Sequence, residues 1–106
     1  MRYNRRNSDG RTALHFAAQE GWNAALTTLL ELGADIDAET VDGCTPLMMA
    51  AAMGNVDTVK LLISEGADLE HRDQRGLSAW MLADEKGEDS VVAVLKEQQQ
   101  QVEGRD

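Results

Sequence analysis

The stretch Asp42-Gly43-Cys44-Thr45-Pro46-Leu47-Met48-Met49-Ala50-Ala51-Ala52-Met53-Gly54 decides the fold. It opens on an Asp-Gly turn, sets Thr45 just before a helix and Pro46 at its first position, then runs apolar to a closing glycine. A hydroxyl at the N-cap accepts from the orphan amides of the first turn. Proline at the first helical position costs no hydrogen bond, because that amide has no helical partner. Two weaker copies flank the stretch. One is Asp9-Gly10-Arg11-Thr12-Ala13-Leu14-His15-Phe16-Ala17-Ala18-Gln19-Glu20-Gly21, and the other is Arg75-Gly76-Leu77-Ser78-Ala79-Trp80-Met81-Leu82-Ala83-Asp84-Glu85-Lys86-Gly87.

Gly10, Gly43 and Gly76 fall at intervals of 33 residues. The same register aligns Gly21, Gly54 and Gly87; Ala17, Ala50 and Ala83; Leu29, Leu62 and Leu95; and Thr12, Thr45 and Ser78. A fixed period within roughly 20–50 residues marks a solenoid or array. Each unit reads as turn, helix, short loop, helix. The hydroxyl residues Thr12, Thr45 and Ser78 cap first helices expected near 13–20, 46–53 and 79–86. Gly21, Gly54 and Gly87 end them, as residues free to take positive φ. Second helices are expected near 23–32, 56–65 and 89–99, where Leu26/Leu29/Leu30, Val59/Leu62/Ile63 and Val91/Val92/Leu95 keep helical spacing. Leu14, Leu47, Leu26, Leu29, Leu61, Leu62 and Leu95 are the expected core.

These residues resemble the ankyrin-repeat family, whose pattern is D-G-x-T-P-L-H-x-A-A, a glycine, a Leu-Leu helix and G-A-D. The resemblance covers about residues 7–99. The middle unit is nearest to the pattern, with Thr45-Pro46-Leu47 and Gly66-Ala67-Asp68, and departs from it at Met48. The first has Ala13 for proline but keeps His15. The third has Ala79, Trp80 and Met81, and runs into Gln98–Gln101 in place of G-A-D. The resemblance implies an all-α solenoid of three stacked helix-turn-helix units joined by β-turn or hairpin fingers. The expected divisions are a basic arm at 1–6, repeats at 7–39, 40–72 and 73–101, the last a C-terminal cap, and a polar tail at 102–106.

At 106 residues the chain is one domain, and three units are about the minimum for a stable stack. It carries 19 Asp and Glu against 10 Lys and Arg, a formal net charge of −9. Four of the arginines, Arg2, Arg5, Arg6 and Arg11, lie in the first eleven positions. The remainder is acidic enough to repel a phosphate backbone, so nucleic acid is not expected as a partner. Residues 1–10 lack the apolar core of a secretory signal. No run has the length of a membrane span. A lone Cys44 excludes an internal disulfide framework and fits a reducing compartment, cytoplasm or nucleus.

The two ends differ. At the C-terminal end, Lys96 stands where Leu30 and Ile63 stand in the other units, Trp80 replaces a leucine, and Gln98–Gln101 extend the last helix toward Gly104. At the N-terminal end Phe16 stays apolar and Trp22 opens the second helix. Either Tyr3 and the arm fold over this face, or another repeat preceded it. A monomer is expected, with self-association through this edge as the alternative.

No residue set meets the geometry of catalysis, which needs a base, a nucleophile and a dry pocket. No enzyme activity, cofactor or metal is therefore expected. His15 has no partner at metal or triad spacing, and the resemblance implies that it bonds to nearby backbone. His71 is expected to be solvated. Cys44 has neither a second cysteine nor a local histidine. Asp35, Asp37, Asp68 and Glu70 lack the spacing of a calcium loop.

What is left is a surface. In the family, the fingers and first helices line a concave face, with variable contact positions flanking the turn glycine and preceding the closing glycine. Carried onto this chain, these are Ser8, Asp9, Arg11, Gln19 and Glu20; Val41, Asp42, Cys44, Ala52 and Met53; and Gln74, Arg75, Leu77, Glu85 and Lys86. Glu39 and Arg72 lie on the connecting fingers. The middle of this set is apolar and its edges are charged, which is the anatomy of a protein interface. The resemblance therefore implies a protein-binding module. The competing expectation is the C-terminal scaffold piece of a longer repeat protein, without a ligand of its own.

Overall fold

The structure is a computed structural model describing residues 4–103, with side chains through residue 99. Six helices follow in three pairs: α1 (Ala13–Glu20) and α2 (Asn23–Glu31), α3 (Pro46–Met53) and α4 (Val56–Ser64), α5 (Ala79–Glu85) and α6 (Asp89–Glu103). Each first helix except α5 matches the expected span; α5 stops one residue early. The last helix continues through the glutamine run. No strand occurs among the described residues, so the fingers are turns and not ladders.

Each pair stacks on the next. α3 packs between α1 and α5, and α4 lies between α2 and α6. Ala17, Ala50 and Ala83 are buried, and small side chains there let the first helices approach closely. Leu14, Leu26, Leu47, Leu62 and Leu95 are buried as expected, while Leu29 and Leu61 pack on the core from its edge.

The fingers repeat bond for bond. Gly10, Gly43 and Gly76 donate to the carbonyls of Asn7, Thr40 and Asp73, all at 2.9 Å. Between units, Val41 N–H donates to Asp9 O and Gln74 N–H donates to Asp42 O, both at 3.0 Å. Close approach at this point demands glycine. A Cβ on Gly10, whose φ is +79°, would lie 2.8 Å from the Val41 nitrogen. Both the positive φ and the missing side chain are therefore needed.

The side chains of Asn7, Thr40 and Asp73 hold these turns. Each accepts two backbone N–H groups at 2.9–3.3 Å: Asp9 and Arg11, Asp42 and Cys44, Arg75 and Leu77. Asn, Asp and Ser/Thr side chains favour turns for this reason. The acidic residues of the loops do similar work. Asp35 and Asp68 accept from the amides of Asp37 and Glu70, and Asp37 reaches across to the amide of Asp68, all at 3.0 Å.

The three N-caps are not equal. Thr45 accepts from Met48 N–H at 3.3 Å, as expected. At Thr12 the backbone N–H donates instead to His15 Nδ1. Ser78 departs from the expected pattern: its hydroxyl makes no cap bond and is buried without a partner. The described part of the basic arm is tied to the first unit. Asn4 accepts from Asp35 N–H at 2.8 Å, and Arg6 donates to the carbonyls of Gly10 and Glu39. These contacts lie on the finger side. Tyr3, Arg2 and Gly104 are outside the described residues.

Candidate functional site

The turns at Asp9–Gly10, Asp42–Gly43 and Arg75–Gly76 project beside α1, α3 and α5, so fingers and first helices share one face. On it, between the second and third units, lies a cleft of about 380 Å³. Its apolar floor is made by Cys44, Met48, Met49, Ala52 and Leu82. Asp42, Asp73, Gln74 and Arg75 form its finger wall. That volume sits near the low end for ligand pockets, about 300–1,000 Å³, and suits an inserted side chain.

The rim is electrostatically organised. Arg75 pairs with Glu85 at 3.2 Å and with Asp73 at 3.8 Å. The Asp73 side chain is itself almost covered, because its other oxygen holds the turn. Burial first, and then the charge of Asp73, push the Cys44 thiol upward, while Thr40 pulls it down slightly. The thiol is therefore protonated at neutral pH and behaves as a small hydrophobe, not a nucleophile.

Of the expected contact residues, Asp42, Cys44, Ala52, Gln74 and Arg75 meet at this cleft. Val41 is 60% exposed at its finger tip and Met53 is 54% exposed at the far end of α3. Leu77 is half-buried against the core. Glu85 joins through Arg75, and Lys86 is exposed just beyond it. Arg11, Gln19 and Glu20 form a polar edge in the first unit. Arg11 donates to Gln19 Oε1 at 2.8 Å and lies 5.7 Å from the centroid of the Phe16 ring. Arg72 does not join the cleft. It donates to Gly76 O at 2.9 Å and, with Trp80, lines the C-terminal end of the stack. There Lys96 lies 4.6 Å from the Trp80 ring, so the charge in a core position serves as an aromatic lid.

Sequence reasoning gave Met49 and Leu82 no contact role, yet they floor the cleft. It also missed Asn55, whose side-chain amide donates to Ala18 O and Gln19 O at 3.0 and 2.9 Å and joins the first unit to the second. The signal was its place in the 33-residue register opposite Trp22 and Glu88.

The histidines are structural. His15 is buried, accepting at Nδ1 from Thr12 N–H at 3.0 Å, which leaves Nε2–H to donate to Cys44 O at 2.9 Å. That assigns the tautomer. The bonds to nearby backbone agree with expectation. His71 does not: it is half-buried, with Nε2 3.2 Å from both Gly43 O and Glu39 Oε1. It clamps one finger to the next because the fingers stack, a proximity that its local sequence does not display.

Among the described residues no helix is long and apolar enough to cross a membrane. A family model described as ankyrin repeats, in three copies, matches residues 1–73 and 22–106. No curated protein matches the chain significantly.

Proposed function

Since the chain belongs to the ankyrin-repeat family, we propose that it is a non-catalytic module that binds a protein partner through its concave face. Ankyrin repeats generally mediate protein–protein interaction. The observation that carries the reading to this face is the cleft floored by Cys44, Met49, Ala52 and Leu82. It accepts an apolar side chain of the partner. Met53 and Val41, each more than half exposed, extend the apolar surface beyond it. Methionine is unbranched and polarisable and adapts to irregular partner surfaces. Arg75 and Glu85 on one side, and Arg11, Gln19 and Glu20 on the other, supply the polar rim that sets orientation.

Affinity capture from a native extract tests this. Proteins retained by the wild-type chain are expected to be lost with Met53→Asp and with Arg75→Glu, each weakening retention at least tenfold. Both residues are exposed, so circular dichroism and the melting temperature should change little. Lys60→Glu, on the second helix of the middle unit, should leave retention intact. Retention unaltered by both concave-face substitutions contradicts the assignment.

A further inference from the structure

We propose that the partner's binding segment is apolar and basic. It lays one aliphatic side chain on the floor of the cleft between the second and third units, with a neighbouring lysine or arginine against Asp42. This rests on the concave-face reading above and adds the chemistry of the partner to it.

The 33-residue register shows why the cleft is open. In the first unit Arg11 crosses from the finger to the end of α1, donating to Gln19 Oε1 at 2.8 Å and lying 5.7 Å from the Phe16 ring centroid. In the third unit Arg75 crosses to Glu85, at 3.2 and 3.3 Å. The middle unit has Cys44 and Ala52 at the positions of Arg11 and Gln19, and Asp42 at the position of Arg75. Asp42 and Cys44 are short, and Ala52 offers no polar group to bond. The gap that each flanking unit bridges with its own arginine is left in the middle unit as the cleft of about 380 Å³.

The walls set what an incoming side chain meets. The floor of Cys44, Met49, Ala52 and Leu82 rewards an aliphatic group by burial. Around it, the carboxylates of Asp42, Asp73 and Glu85 outnumber the one guanidinium, Arg75. Arg75 is taken by Glu85 and Asp73. The Asp73 side chain is only 5% exposed and holds its own turn. Asp42 is exposed and has no ion pair among the described residues. The charge offered to a partner at the mouth of the cleft is therefore that of Asp42. An anionic segment meets repulsion there, and a neutral one strips water from the carboxylate without a counter-charge. The formal net charge of −9 also steers a cationic segment toward the chain.

Short random peptides displayed on phage, selected against the immobilised 106-residue chain, test the proposal, with the most enriched peptide then measured by fluorescence anisotropy. The expected sequences set Leu, Ile or Met beside Lys or Arg. Asp42→Lys should raise the Kd of that peptide roughly tenfold or more. Glu65→Lys, the same charge change at the exposed end of α4, should change it less than about threefold. Ala52→Arg supplies from within the long side chain that the cleft lacks and should weaken binding as much as Asp42→Lys, with circular dichroism unchanged. Enriched peptides without a cation, or a Kd that Asp42→Lys leaves unaltered, overturn the proposal; if Met53→Asp still weakens those peptides, the concave-face reading survives. Peptides insensitive to Met53→Asp, Ala52→Arg and Arg75→Glu alike overturn both. Failure to enrich any peptide overturns the proposal and leaves the concave-face reading to the capture experiment.

Discussion

His15→Ala is expected to destabilise the fold by roughly 2–5 kcal/mol, read from denaturant unfolding at neutral pH. The imidazole is fully buried and spans two units, holding Thr12 N–H on one side and Cys44 O on the other. Truncation leaves a cavity and orphans the buried Thr12 amide. The Cys44 carbonyl is spared, because Thr40 N–H also donates to it at 2.9 Å. His15→Met separates the two losses. Methionine already occupies the equivalent position as Met48, 1% exposed, so it fills the space without the bonds. It should cost only about 1–2 kcal/mol.

The same side chain makes stability depend on pH. Burial holds its pKa below the ordinary 6.5, partly offset by its bond to the Cys44 carbonyl. The unfolded chain therefore takes up this proton first, and stability rises with pH wherever the unfolded state binds more protons. The His15 contribution is complete above pH 6.5 and is lost as pH falls through the lowered folded-state value. Carboxylates titrate too, so the readout is a difference. The stability gap between wild type and His15→Met should narrow on going from pH 7 to pH 5, and a constant gap contradicts the assignment.

Leu62→Ala should cost about 2–5 kcal/mol, and more than Leu29→Ala at the same position of the first unit. Leu62 is fully buried within the middle hairpin, whose two faces meet both neighbours. Leu29 is only partly buried and packs on the core from its edge. In a stack held by nearest-neighbour interfaces, weakening the middle unit removes support from both interfaces at once. A global stability of about 5–15 kcal/mol leaves little reserve after such a loss. Equal costs at the two positions would mean that the units do not depend on one another in this way.

Helix spans and the core leucines were legible because they depend on local periodicity and capping, which a single unit displays. The fingers were legible as turns through their glycines. What held them was not read, although Asn7, Thr40 and Asp73 stand in register three residues before those glycines and are all side chains that accept from turn amides. The contacts of Asn55 and His71 join residues 28–37 apart in sequence, and only the stacking geometry brings them together. The candidate face was partly legible for the same reason. Cys44, Ala52 and Arg75 followed from their place in the unit, whereas Met49 and Leu82 entered the cleft floor through the spacing of α3 and α5. Ser78 shows the limit of reading by analogy: the register put it at a cap that its hydroxyl does not make.

Three equivalent, stacked units underlie the concave face, and scalar couplings measured across hydrogen bonds by NMR report that equivalence directly. The structure predicts two of them, from Val41 nitrogen to the Asp9 carbonyl carbon and from Gln74 nitrogen to the Asp42 carbonyl carbon. Observing both would place the second and third fingers identically on their predecessors. A folded chain that shows only one of the pair, or neither, would contradict the account.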